Sequence, residues 1–191
     1  MPKIFINAGH QCKRDDYGNM MDPGAVNYDY DITEAEIALE IGEAVKKYLE
    51  AVGYAVDLLQ SDNLAWDSDY PNEPCIVEYG MHGNFDIAVS IHCNAFNGVA
   101  NGTETLIYSF EESDSVKLAN CIQDQIVSSL DTLDRGIKAR PGLAFLNHIE
   151  VPVVLVETAF IDNDDDAQLL MNDTYECARA IARGITDYFS S

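Results

Sequence analysis

Three stretches of this chain deliver residues that could do chemistry together. Ile4-Phe5-Ile6 runs into Asn7-Ala8-Gly9-His10, Ile87-Ala88-Val89-Ser90-Ile91 runs into His92, and Val153-Val154-Leu155-Val156 ends in Glu157. Each is an apolar run of the length of a buried strand, with a titratable residue at its carboxyl end. Parallel sheets place ligand sites just outside the carboxyl ends of their strands, so two imidazoles and a carboxylate delivered this way converge on one crevice. That is the outline of a metal site.

A further carboxylate comes from a helix. Thr33 offers a hydroxyl cap with Glu36 at the capping-box position, and the pattern predicts a helix to about Val52, stopped by Gly53. At 100° per residue, Glu34, Ala38, Ile41, Val45, Tyr48 and Val52 share one stripe, while Glu36, Glu40, Glu43, Lys47 and Glu50 fall opposite. Glu34 therefore faces the core. Alone, a carboxylate in the first turn compensates the helix dipole; beside His10 and His92 it reads as a third ligand.

Two imidazoles and one carboxylate suit catalytic zinc, with a fourth position open to water or a substrate carbonyl. Glu157, if it is not a ligand, is then free as a general base that takes a proton from the activated water and returns it to a leaving amine, which describes amide hydrolysis. No H-E-x-x-H occurs, so the case rests on convergence from distant segments rather than on a local motif. His82 and His148 read as structural or rim residues, His148 within reach of a substrate because it precedes the last strand.

The elements that must position these groups follow from the same patterns. Gln11 to Asp31 is a polar loop over the site, with a turn at Asp22-Pro23-Gly24. Strands are predicted at Tyr54–Leu59 and Asp86–Ile91, an edge strand at Glu104–Tyr108, a short helix near Ile76–Met81, a helix from a Ser113 cap to Leu130, and a last helix over Thr174–Phe189. Between them, Asp134 to Asn147 carries a small basic cluster of Arg135, Lys138 and Arg140. Asp162 to Asp166 resembles a calcium loop but lacks the Gly at its sixth position and has Asp173 where a Glu belongs, so it reads as an acidic helix N-terminus. The expectation is an α/β fold: a single domain over residues 1–191, built on a mostly parallel, twisted sheet of about six strands with helices on both faces.

Composition narrows the partners. In 191 residues, 33 acidic side chains against 11 basic ones give a formal net charge of -22, which repels nucleic acid and anionic membrane surfaces. No apolar run approaches the roughly 18 residues of a spanning helix, and no signal-peptide pattern opens the chain, so the expected location is cytoplasmic until release. The five cysteines are scattered and form no C-x-x-C pair, which argues against both a disulfide framework and a thiolate metal site. Strand alternation points Cys93 away from His92.

In combination, Ile6-Asn7-Ala8-Gly9-His10 with Asp22-Pro23-Gly24-Ala25, Glu34, Ser90-Ile91-His92-Cys93-Asn94-Ala95, Arg135-Gly136-Ile137-Lys138 and Val156-Glu157-Thr158-Ala159-Phe160-Ile161-Asp162-Asn163 resemble the zinc-dependent N-acetylmuramoyl-L-alanine amidases of the type 3 family across nearly the whole chain. The resemblance implies zinc on His10, Glu34 and His92, Glu157 as the catalytic glutamate, and peptidoglycan as substrate, cut between the lactyl group and the peptide stem. Three departures stand out. The arginine and Ala-Asn pattern common before the third strand is not evident around Glu78 to Asn84. Gln11-Cys12-Lys13-Arg14 and an insertion replace the family's Gly-rich stretch after the first histidine, and the loop after Tyr108 is too short for a long regulatory helix. A phage endolysin or an isolated autolysin catalytic domain fits this outline. The rivals are a zinc carboxypeptidase-like peptidase, with Arg135 or Arg140 gripping a terminal carboxylate, and an inactive wall-binding module, which should lack one of the four site residues.

Overall fold

β-Branched and aromatic runs form the centre of the molecule. In the computed structural model, which describes residues 1–191, β1 (Lys3–Ala8), β7 (Ile87–Asn94) and β10 (Val153–Phe160) lie side by side, almost wholly buried. Between them in sequence come β2 (Gln11–Arg14), β3 (Met20–Asp22), β4 (Val26–Asn27), β5 (Ile32–Thr33) and β6 (Ala55–Leu59), followed after β7 by β8 (Thr103–Ile107) and β9 (Asp134–Ala139). One six-stranded sheet runs in the order β6-β1-β7-β10-β8-β9. All its pairings are parallel except β10 with β8. The register sets Glu157 beside His92 on one side and beside Glu104 on the other.

Helices cover both faces, as the pattern of alternating strands and helices requires. On one face lie α1 (Glu34–Ala51), α3 (Ser113–Leu130) and α6 (Thr174–Ser190), whose Ile41, Val45, Ile122, Ile126, Ile181 and Ile185 pack with Ile4, Ile6, Val89 and Val154 of the sheet. On the other, α2 (Ile76–His82) and α4 (Ala144–His148) enclose a smaller cluster around Phe5, Phe85, Phe145 and Leu155. α5 (Asp164–Asn172) follows β10, started by Asn163, whose side chain accepts from the backbone of Asp165 and Asp166. The acidic run is thus a helix start, as expected. All five cysteines are free, and Cys93 is buried in the α1-side cluster, on the sheet face opposite His92.

The structure corrects four details. Glu104–Tyr108 was expected as an edge, but β8 lies between β10 and β9 with all five residues buried. Its polar side chains tolerate this because each finds a partner: Thr105 Oγ1 donates to Gln123 Oε1 at 2.8 Å, Thr103 Oγ1 to the Thr158 carbonyl at 2.7 Å, and Glu104 accepts from Arg135 and Lys138. The outer strand is β9, drawn from the segment read only as a basic cluster. Ser113 is the first helical residue rather than the cap, which is Glu112 with no side-chain capping bond. Val52 is exposed at the end of α1 instead of joining its buried stripe. The loop from Gln11 to Asp31 contains two small hairpins, β2-β3 and β4-β5, which pair Gln11 with Asp22 and Val26 with Thr33.

The helix layer depends on a close approach between α3 and α6. A Cβ at Gly184 would stand 2.6 Å from Ile122 Cα and 2.7 Å from the Cys121 carbonyl oxygen, both backbone atoms. Gly184→Ala should therefore destabilise the protein by about 1–3 kcal/mol despite the gain in helix propensity. Urea unfolding measures this, and a variant as stable as its parent would show that the two helices separate freely.

Candidate metal centre

Glu34 opens α1 with its side chain buried to 5% exposure, and four donors surround its carboxylate. His10 Nε2 lies 3.1 Å from Oε2 and His92 Nδ1 lies 2.8 Å from Oε1, while the backbone N–H groups of Ala25 and Cys93 donate at 3.0 and 3.1 Å. Glu36, on the opposite side of the helix, instead completes the cap with Thr33 and meets Arg14 at the surface. Of the two glutamates that helical periodicity sets on opposite sides of α1, Glu34 is the one beside the imidazoles.

His10 stands just beyond β1 with φ of 59°, a left-handed conformation that swings its ring away from the strand direction. Its Nδ1 meets the Asp22 carboxylate at 3.0 and 3.1 Å, leaving Nε2 to face Glu34. A carboxylate on the far nitrogen fixes both the ring and its tautomer, the arrangement that supports metal-binding imidazoles. Asp22 was legible in the sequence only as part of a turn. The same turn makes Gly24 necessary, because at φ of 66° a Cβ there would come within 2.6 Å of Glu34 Oε2 and His10 Cδ2. Gly9 is equally constrained, since a Cβ would lie 2.4 Å from the His92 ring.

One ligand atom each from His10, Glu34 and His92 lies within 4.8 Å of the others, so a cation seated among them could reach all three. The electrostatics agree. Burial opposes charge on His10, but Glu34 and Asp22 outweigh it and raise its pKa to about 9. Burial would likewise raise the Glu34 carboxyl, yet its hydrogen bonds to His10 and His92 hold it well below the usual carboxylate range. The cluster is built around a fixed negative charge that demands a positive one beside it.

Glu157 is a different kind of acid. It is adjacent to His92 across the strand pair, and its Oε2 is buried without a hydrogen-bond partner. Burial pushes its pKa up to about 7, helped by the negative charge of Glu34 and Glu104 and opposed by His92 and His10. A carboxyl poised near neutrality suits general acid and base work. Glu104, its other neighbour, is satisfied by Arg135 Nε at 2.7 Å and by Lys138, and the Arg135 guanidinium also stacks 4.8 Å from the Phe160 ring. Arg135 is thereby committed within the fold, and the Arg140 guanidinium donates to the neighbouring carbonyl of Ala139.

A cavity of about 160 Å³ opens beside the cluster, with His10, His92, Asp22, Asp62, Ser90 and Phe145 in its wall. His148 stands edge-on to Trp66 with ring centroids 5.4 Å apart, and Trp66 holds a strained φ of 54°. His82 ends α2 in a separate hollow with Asn84, Phe85 and Glu150 and takes no part in the cluster. No helix of the chain is long and apolar enough to cross a membrane.

The Glu157 carboxyl sets a pH test in metal-free protein. Its folded pKa of about 7 exceeds the ordinary 4.5, so its contribution to stability is full below pH 4.5 and is lost as pH rises toward 7. The loss is on the order of 3 kcal/mol. Glu157→Gln cannot ionise, so its stability relative to the parent should improve by about that amount between pH 4.5 and pH 8, read by denaturant unfolding in chelator. A pH-independent difference would mean that the carboxyl is solvated.

With the geometry in place, three likenesses bear on it. The chain is 34% identical over 189 residues to the uncharacterized protein YqiI of Bacillus subtilis, covering 97% of this chain and 84% of that one. It is 33% identical to the N-acetylmuramoyl-L-alanine amidase LytC of the same organism, again over 97% of this chain but only 35% of the longer relative. The structure of the CwlD amidase from Clostridioides difficile, solved in complex with the GerS lipoprotein, superimposes with a TM-score of 0.83 at 30% identity, covering 100% of this chain and 99% of that one. Residues 4–187 match the model of the Amidase_3 family, described as N-acetylmuramoyl-L-alanine amidase, and the chain belongs to that family of hydrolases.

Proposed function

We propose that residues 1–191 act as one zinc amidase catalytic domain, which hydrolyses the amide between N-acetylmuramic acid and L-alanine in peptidoglycan. The observation that carries this reading is the pairing of a buried Glu34 carboxylate, bridging His10 and His92, with an unpartnered Glu157 carboxyl on the adjacent strand. Two imidazole nitrogens and one carboxylate oxygen are the donor set of a catalytic zinc rather than of magnesium or calcium, which favour all-oxygen shells. Zinc held there supplies a polarised carbonyl and a water of lowered pKa.

The chain's own residues do the rest. Asp22 holds the His10 ring, and Gly9 and Gly24 leave room for the two imidazoles and the carboxylate to meet. Glu157, near neutrality, takes a proton from the attacking water and passes it to the departing nitrogen, its buried position keeping bulk water from competing. All four groups of the site are present, which favours an enzyme over a wall-binding module. Arg135 is occupied by Glu104, which leaves only Arg140 of the two arginines that a carboxypeptidase could use to grip a terminal carboxylate. The strongly acidic surface fits a partner that is neither nucleic acid nor an anionic membrane.

Elemental analysis should find about one zinc per chain. Glu34→Gln should lose it and Glu36→Gln keep it; the reverse would overturn the ligand assignment. Glu157→Gln should keep zinc and fold yet lose activity by roughly 10² to 10⁴-fold. Near-normal turnover in that variant removes Glu157 from the mechanism.

The bond itself is tested by digesting purified peptidoglycan and labelling new termini. Each cut should free an amino-terminal alanine and create no reducing sugar end. New termini on another residue would indicate a peptidase, new reducing ends a glycosidase, and no product a binding module.

A further inference from the structure

Asp62 lies three residues beyond β6 and lines the same cavity as His10 and His92. It is 9% exposed, and both of its carboxylate oxygens are buried with no hydrogen-bond partner. Two other buried acids, Glu104 and Asp166, are satisfied internally. Glu104 is held by Arg135 and Lys138, and Asp166 accepts the N–H groups of Gly102 and Phe160 at 2.8 Å each. An acid left open is costly, and such a group persists where a ligand completes it.

Hydrogen bonds of both neighbours hold the loop that presents Asp62 to the cavity. Ser61 Oγ donates to the Pro74 carbonyl at 2.7 Å, the Asn63 carbonyl accepts from Ile76 N–H at 2.8 Å, and Asn63 Oδ1 accepts from Asp67 N–H at 2.9 Å. Lys13, the ammonium whose charge reaches Asp62, is already paired with Glu73. Burial raises the Asp62 carboxyl, and the negative charges of Asp22 and Glu73 raise it further. A cationic donor entering the cavity would relieve both the missing hydrogen bonds and the local excess of negative charge.

We propose that Asp62 is a substrate-binding residue that accepts hydrogen bonds from an ammonium group on the peptide portion of the substrate. This rests on the amidase reading, since it is the peptide side of the cleaved amide that carries amines. Two sources share the chemistry: a side-chain ammonium of the peptide, and the α-ammonium that the cut itself releases.

Calorimetry with the zinc-loaded protein tests this without turnover. The probes are a short peptide beginning with L-alanine and carrying one lysine, the same peptide acetylated on the lysine side chain, and the same peptide acetylated on the α-amine. The free peptide should bind Asp62→Asn about tenfold more weakly than wild type. Acetylating whichever amine meets Asp62 should reduce wild-type binding to the level of the variant, which identifies the source. Asp62→Asn should melt at or above the parental temperature, because it removes an unpaired buried charge. Equal binding of all three peptides by both proteins would overturn the assignment, as would a marked loss of stability in the variant. A calcium- or magnesium-dependent rise in melting temperature that needs Asp62 would also overturn it, by making the site a cation site. A protein that frees amino-terminal alanine from peptidoglycan, yet fails to distinguish these peptides, keeps the amidase reading and loses only this one.

Discussion

The burial of the Glu34 carboxylate is the constraint on which the site end of this molecule depends. A carboxylate removed from water needs compensation by hydrogen bonds and by positive charge, and stripping one partner from such a group typically costs about 3–5 kcal/mol. Here the compensation comes from three separate segments: His10 beyond β1, Ala25 in the loop after the Asp-Pro-Gly turn, and the side chain of His92 and backbone of Cys93 on β7. The first turn of α1 must therefore abut the ends of two adjacent parallel strands. The hairpin loop must fold back far enough to bring Asp22 to His10, and Gly9 and Gly24 must lack side chains for the parts to meet. The same Glu34 charge, with that of Asp22, raises the His10 pKa to about 9 and so favours positive charge on that imidazole.

The two unpartnered acids near this end of the sheet differ from Glu34 in what surrounds them. Glu157 sits between a histidine and a carboxylate that is already satisfied, so its own charge is poorly supported and its proton is held to near neutral pH. A fully paired carboxylate there would be more stable and less able to move a proton. The proposed proton transfer would explain why Glu157 is left unpaired, since the pairs of Glu104 with Arg135 and Lys138 show that the fold can satisfy an acid on the same sheet face.

Much of this was legible from residues alone, for identifiable reasons. Strongly β-branched runs fixed β1, β7 and β10, and the 3.6-residue period of α1 separated Glu34 from Glu36, because in both cases one face is buried and the pattern is regular. β8 was mistaken for an edge because its composition is polar, and the Gln123, Thr158, Arg135 and Lys138 partners that permit its burial come from distant segments. β9 and α4 are short and lack a clear apolar period, so the basic residues dominated the reading of that stretch. Asp22 and Asp62 carried no local signal beyond turn chemistry. Their significance comes from where the loops land, which neither spacing nor composition encodes.

The proposed site requires one metal ion in the Glu34 cluster, with Glu157 left free to carry protons. Anomalous diffraction from crystals of the protein, collected on either side of the zinc absorption edge, addresses this directly. A single peak is expected about 2.0–2.2 Å from His10 Nε2, His92 Nδ1 and a Glu34 oxygen, with Glu157 outside bonding distance. A peak coordinated by Glu157, a peak seated instead between Asp22 and Asp62, or no peak in crystals of active protein would contradict it.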